Sequence, residues 1–99
     1  MVIVSQDKKG IFNFEEIFGL YVDSWSNEEF ATEPNCFCIK AEKSSDNMIC
    51  VFLGEYKTEE RAQEVLQEII KAYRDYRTAE CDGYTNVLQE TAVFEMPES

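Results

Sequence analysis

Residues 36–76 read CFCIKAEKSSDNMICVFLGEYKTEERAQEVLQEIIKAYRDY, and within this run the apolar period changes from two to about 3.6. In residues 36–42 (CFCIKAE), Phe37, Ile39 and Ala41 share one face, while Cys36, Cys38 and Lys40 share the other. Residues 48–53 (MICVFL) form a second β-prone run that is apolar on both faces, as expected of a strand near a sheet centre. The joining segment Lys43-Ser44-Ser45-Asp46-Asn47 has the composition of a hairpin loop. A helix is predicted from about Glu59 to Tyr76, with Thr58 as N-cap and Glu59 and Glu60 favoured by the helix dipole in the first turn. Ala62, Val65, Leu66, Ile69, Tyr73 and Tyr76 recur at spacings of three and four, which draws one buried stripe along it. Lys71, Arg74 and Arg77 lie toward its C-terminal end, where cations are favoured.

On the N-terminal side, residues 2–5 (VIVS) and 11–14 (IFNF) flank the turn-like Asp7-Lys8-Lys9-Gly10 and read as an opening hairpin. Ile17 to Asp23 is a further β-prone run, in which Gly19 marks an expected bulge or close backbone approach. Beyond the helix, Asp82-Gly83 breaks the chain, and Thr91 to Met96 (TAVFEM) reads as a last strand before Pro97. Residues 78–90 fit either a short helix over Tyr84 to Leu88 or a loop. The expected architecture is therefore one α+β domain over residues 1–99, an antiparallel sheet of about five to six strands with one amphipathic helix on one face.

The chain holds 20 acidic and 9 basic residues and no histidine, a formal net charge of −11 in 99 residues. With 44% hydrophobic residues it has too much apolar material for a disordered acidic tail, so the charge belongs to a folded object. A folded surface of roughly 5,800 Å² is expected at this size. Nucleic acid and anionic membrane are poor partners for such a surface, because both need Lys and Arg to neutralise phosphates. A basic protein surface is the partner that the charge favours. The first residues lack the basic segment and long apolar run of a signal peptide, so a cytoplasmic location is expected, with Cys36, Cys38, Cys50 and Cys81 reduced.

Catalytic chemistry finds little support in the residues. Without histidine the usual base for a Ser or Cys nucleophile is missing, and no phosphate-binding or dinucleotide fingerprint occurs. Cys36-x-Cys38 with Cys50 and Cys81 could offer thiolates to zinc, but zinc pairs are usually spaced C-x₂₋₄-C. Cysteines alternating with Phe37 and Ile39 read instead as small hydrophobes, and neither metal nor cofactor is expected.

Two acidic groupings stand out as partner-binding candidates. In Trp25-Ser26-Asn27-Glu28-Glu29-Phe30, Ser26 and Glu29 have capping-box spacing and Trp25 and Phe30 that of a hydrophobic staple, so a helical turn is expected from Asn27. The same segment sets the only tryptophan beside Glu28, Glu29 and Glu33, in the manner of an interaction loop. Glu60, Glu64 and Glu68 follow at intervals of four, a carboxylate row about 6 Å apart on the outer helix face. Such a row can imitate a phosphate track, although Lys57, Arg61 and Lys71 interrupt it and a solvated helix face has the same pattern.

The opening VIVSQDKKGIFNF (2–14), the block LGEYKTEERAQEVLQEII (53–70) and Phe94-Glu95-Met96-Pro97-Glu98 resemble short uncharacterised proteins of phages and mobile elements of Gram-positive bacteria. The resemblance covers about half the chain and carries no activity; relative to shorter members, Trp25 to Asn35 looks like an insertion. It implies a setting in which small acidic proteins often bind a host protein. The expected function is a non-enzymatic acidic binding protein, an inhibitor of a bacterial defence nuclease in the anti-CRISPR manner being one form. A homo-oligomeric accessory or structural phage protein and a small-molecule sequestering protein are the alternatives.

Overall fold

A computed structural model describes residues 1–26, 33–43, 50–82 and 92–99, with helix side chains described to residue 79. Six strands and one long helix are placed in the order β1 (Val2–Val4), β2 (Ile11–Asn13), β3 (Gly19–Trp25), β4 (Cys36–Glu42), β5 (Cys50–Tyr56), α1 (Glu59–Asp82) and β6 (Val93–Glu95). The α+β class agrees with expectation, but the single sheet of five to six strands does not. Two three-stranded sheets occur instead, β2-β1-β6 and β3-β4-β5. The first is mixed, because β6 runs parallel to β1 while β2 is antiparallel to it.

The two sheets meet at Gln6 and the Leu53–Gly54 stretch of β5. Between Ile39 and Lys40 the pairing of β4 with β5 shifts, from Ile39↔Gly54 to Lys40↔Phe52, leaving Leu53 as the extra residue of a bulge. The bulge resets the alternation, so Leu53 and Tyr56, three apart, both point into the core, at 1% and 3% exposure. A side chain at position 54 would begin 3.0 Å from the Tyr56 hydroxyl and 3.3 Å from Met96 Cε, which accounts for the glycine. The Leu53 carbonyl accepts a bond from Gln6 N at 2.8 Å. Beyond it, the Gln6 side chain, not a strand, meets β5: Oε1 accepts from Glu55 N at 2.9 Å, and Nε2 donates to the carbonyls of Glu55, Pro97 and Glu98. One amide side chain thus joins the two sheets and the C-terminal segment. The expected bulge at Gly19 is corrected accordingly, since Gly19 opens β3 and the irregularity sits at Leu53–Gly54. The expectation of a central 48–53 strand is corrected too: β4 is the middle strand of its sheet, and Phe52 on β5 is 48% exposed.

Helix α1 lies across β3, β4 and β5. Its Ala62, Val65 and Ile69 are fully buried against Ile39, Ala41, Leu53 and Tyr56, with Met1, Ile3 and Met96 closing the core. Thr58 caps it as predicted, its Oγ1 accepting from Arg61 N at 3.1 Å. The helix runs to Asp82 and not to Tyr76, because Ala79, 3% exposed, continues the buried stripe one more turn. Lys71, Arg74 and Arg77 consequently fall short of the last turn, which holds no cation.

The opening hairpin also differs in detail. Ser5 N bonds Gly10 O, and the Ser5 hydroxyl both donates to Asp7 and accepts from Gly10 N. Lys8 takes a left-handed φ of 64° in this turn. At its far side the expected strand residue Phe14 instead begins a one-turn 3₁₀ helix, Phe14–Glu16, capped by the Asn13 side chain on Glu15 N. This turn docks on α1, with Phe14 stacked on Tyr73 at 4.3 Å and the Tyr73 hydroxyl donating to Glu15. Among the described residues no helix is long and apolar enough to cross a membrane.

Candidate functional site

The ends of β3 and β5, the start of β4 and the start of α1 all converge at one end of the β3-β4-β5 sheet. Trp25 pairs with Cys36, Phe37 pairs with Tyr56, and α1 begins three residues after Tyr56. The two acidic groupings read separately from the sequence therefore share this end. Trp25 is the last residue of β3 and 42% exposed, and its carbonyl accepts from Asn35 N where the chain returns. Glu33 is exposed just ahead of β4. Glu28 and Glu29, with the helical turn predicted from Asn27, lie outside the described residues.

On α1, Glu60, Glu64 and Glu68 are exposed, but the row is not a bare line of charge. Arg61 pairs with Glu64 at 3.1 Å and Glu68 at 3.6 Å, and its Nε donates to Ser99 O. Glu60 has no ion-pair partner among the described residues. The helix dipole favours carboxylates here, at its N-terminus. At this end Glu33, Glu55, Glu59, Glu60, Glu64, Glu68 and Glu98 outnumber Lys57 and Arg61, while Asp7 and Glu95 offset Lys8 and Lys9 in the adjoining turn and strand. At the other end, Lys43, Lys71, Arg74 and Arg77 stand against Glu15, Glu16, Glu42, Asp75, Glu80 and Asp82, a smaller negative excess. The larger share of the negative excess therefore lies at the Trp25 end.

On the face of the β3-β4-β5 sheet opposite the helix, Tyr21, Asp23, Phe52 and Glu55, which sequence reasoning passed over, join Trp25, Cys36, Cys38 and Lys40. Across the three strands they fall into rows: Trp25 beside Cys36; Asp23, Cys38 and Glu55; Tyr21, Lys40 and Phe52. Lys40 Nζ lies 2.8 Å from Asp23 Oδ2. That contact, with a bond from Ser24 N, holds the Asp23 carboxyl below its ordinary value, and Asp23 in turn raises Lys40. The Glu55 carboxylate beside it, then burial, pushes up the Cys36 thiol; burial does the same for Cys38, which is 0% exposed. Both thiols are thus held protonated near neutral pH, unlike an activated nucleophilic cysteine. Cys50 sits at the far end of the sheet, its sulfur 3.6 Å from the Tyr21 hydroxyl. Six residues of strand separate Cys36 from Glu42, the partner of Cys50, a distance of about 20 Å, so Cys36 and Cys50 do not share a ligand. The alternation Tyr21-Asp23-Trp25 was the available signal for this face; the bulge hid the matching pattern in β5.

No protein-family model, curated protein sequence or solved structure matches the chain.

Proposed function

We propose that this chain is a non-enzymatic binding protein that presents its acidic end to a basic protein surface. The observation that carries the reading is the convergence just described: Trp25, Glu33, Glu55, Glu60, Glu64 and Glu98 gather at one end, which carries the larger share of the negative charge. A one-sided excess of charge orients a partner on approach, which an evenly spread −11 would not do. The resemblance of residues 2–14 and 53–70 to phage and mobile-element proteins supplies a setting, the host cytoplasm. In that setting a nucleic-acid channel offers a cationic surface, and an inhibitor that occupies the channel of a defence nuclease agrees with the charge of this domain.

Affinity capture from a Gram-positive lysate tests this reading. The proposal expects a nucleic-acid-binding protein to be retained at low salt, released at high salt and displaced by duplex DNA. Reversal of Glu60, Glu64 and Glu68 to lysine should weaken that capture. Capture that ignores both salt and competing DNA would sink the reading.

A second reading, self-association as an accessory phage protein, draws on the outward face of the β2-β1-β6 sheet, where Ile11 is 70% and Val93 51% exposed. Light scattering decides it, since a stable dimer or larger species is required.

A further inference from the structure

The β2-β1-β6 sheet has two edges, and they are not alike. The antiparallel register of β1 with β2 is anchored at both ends, where Ser5 N donates to Gly10 O and Phe14 N donates to Met1 O. Bonded and non-bonded pairs alternate along such a ladder, so Ile3 and Phe12 are a bonded pair, and the N–H and C=O groups of Ile11 and Asn13 point away from β1. Among the described residues no strand pairs with them. The opposite edge, β6, carries Glu95, a charge of the kind that keeps foreign strands away. Strand β2 carries no charge, and its Ile11 is 70% exposed. Beside β2 opens a cavity of about 270 Å³ lined by Ile11, Phe12, Asn13, Glu16, Ile17 and Lys43. Lys43 Nζ lies 5.5 Å from the centre of the Phe12 ring, so the cavity wall holds one cation and one carboxylate, Glu16.

We propose that β2 pairs antiparallel with β2 of a second copy of the chain across a two-fold axis at Phe12, joining two three-stranded sheets into one of six strands. Ile11 then lies opposite the partner's Asn13 and exchanges both backbone bonds with it, and the symmetric pair does the same. Phe12 meets the partner's Phe12 as a non-bonded pair, the closer kind, with Cα atoms about 4.5 Å apart. Phe12 shares the sheet face of Ile3, its direct cross-strand neighbour, so the partner's ring arrives on that same face, beside the cavity. Charge favours this occupant. A wall with one cation and one carboxylate can face its own copy with opposite signs matched, Lys43 toward Glu16 and Glu16 toward Lys43. An extended segment of an unrelated protein would gain the same backbone bonds without that match. Ile17 and Lys43 flank the Gly19–Glu42 pair, the end of the β3-β4-β5 sheet away from Trp25, so the larger negative excess stays clear of the contact. The inference rests on the self-association reading and moves its contact from the outward sheet face to the strand edge.

Asn13 offers a test of the edge that leaves the β1 ladder whole. Its φ of −77° lies within the range of proline, and its N–H points away from β1. Asn13→Pro therefore deletes one outward donor in each copy, while Asn13→Ala keeps the donor and deletes only the side chain that caps Glu15 N. Light scattering over a concentration series should show the wild type as monomer in equilibrium with dimer. Asn13→Pro should weaken the dimer by about tenfold or more, because symmetry removes two bonds at once, and Asn13→Ala should leave it. Val93→Lys, on the outward face and away from β2, should also leave it. Hydrogen exchange on the wild type is a second readout and decides alone if Asn13→Pro fails to fold: the Ile11 and Asn13 amides should be protected at high protein concentration and exchange freely at low. A dimer that survives Asn13→Pro, or that Asn13→Ala weakens equally, overturns the edge pairing; if that dimer falls to Val93→Lys, self-association through the outward face still stands. Protection of both amides at every concentration means that they are covered within one chain, and overturns the pairing as well. A monomer at every concentration removes the self-association reading itself.

Discussion

Ile39 and Cys38 are neighbours in β4, each with 0% of its surface exposed, yet they are buried by different means. Ile39 points toward α1 and packs among Ala41, Leu53, Val65 and Ile69, a core built by two layers of secondary structure. Cys38 points the other way, onto a face that no described element covers, and is hidden only because it is small and its cross-strand neighbours Asp23 and Glu55 are not. Equal exposure therefore conceals unequal energetics. Burial against a second layer stabilises the fold; burial under cross-strand side chains alone contributes less. The three strands thus divide their work by face, and mutations on the two faces should separate large from small losses of stability.

The largest effect is expected from the inner face. Ile39→Ala removes methyl groups from a closed core and should cost about 2–5 kcal/mol in unfolding free energy, whereas Cys38→Ala should cost about 1 kcal/mol or less. Urea denaturation of both variants at neutral pH measures the contrast. Near-equal losses would show that the outer face is covered after all, and the division between faces would fail.

A middle-sized effect belongs to the seam between the sheets. Gln6→Ala removes the side chain that accepts from Glu55 N and donates to three carbonyls. Those groups are solvent-accessible and gain water in exchange, so the net cost should be about 1–2 kcal/mol. Faster hydrogen exchange at the Glu55 amide, with little change at Ile39, is the specific signature. If Ile39 and Glu55 accelerate together, the seam belongs to the same cooperative unit as the core.

How much of this was legible in the sequence follows the same division. The inner face announces itself through periodicity: Phe37, Ile39 and Ala41 alternate, and Ala62, Val65 and Ile69 recur on one helix stripe, because burial against a second layer demands apolar residues at fixed spacing. Thr58 and the helix start were readable for a similar reason, since an orphan N–H at Arg61 needs a nearby oxygen. Connections of long range were not readable. Nothing local in Gln6 shows that its amide will meet Glu55 and Pro97, some fifty and ninety positions away. The bulge at Leu53 breaks the period of β5, so LGEY looks like the end of an alternating pattern and is its continuation on a reset phase. The acidic residues were visible one by one, but their convergence depends on which strand ends meet, and that is a property of topology.

The smallest expected effect lies on the outer face and is seen through pH. The Asp23 carboxyl is held below its ordinary pKa of 3.8 by Lys40 and by the Ser24 N–H, so the folded state binds its proton less readily than the unfolded chain. The stabilisation this gives is fully present above the ordinary value and disappears as pH falls through the depressed folded value. Lys40 is shifted upward from 10.5 by the same contact, so its share is present below that value and is lost as pH rises through the raised one. Between the two limits the pair is intact, and Asp23→Asn should lower the thermal midpoint slightly by comparison with the preceding substitutions, since exposed ion pairs contribute little. Asp7, held low by Ser5 and Lys9 N, loses its contribution over the same acid range in both proteins and cancels from the difference. Melting curves of wild type and Asp23→Asn taken from neutral pH to below pH 3.8 should therefore converge at the acid end. Curves that stay parallel would mean that Asp23 is not held by Lys40 in solution, and the ion pair would then contribute nothing to the outer face.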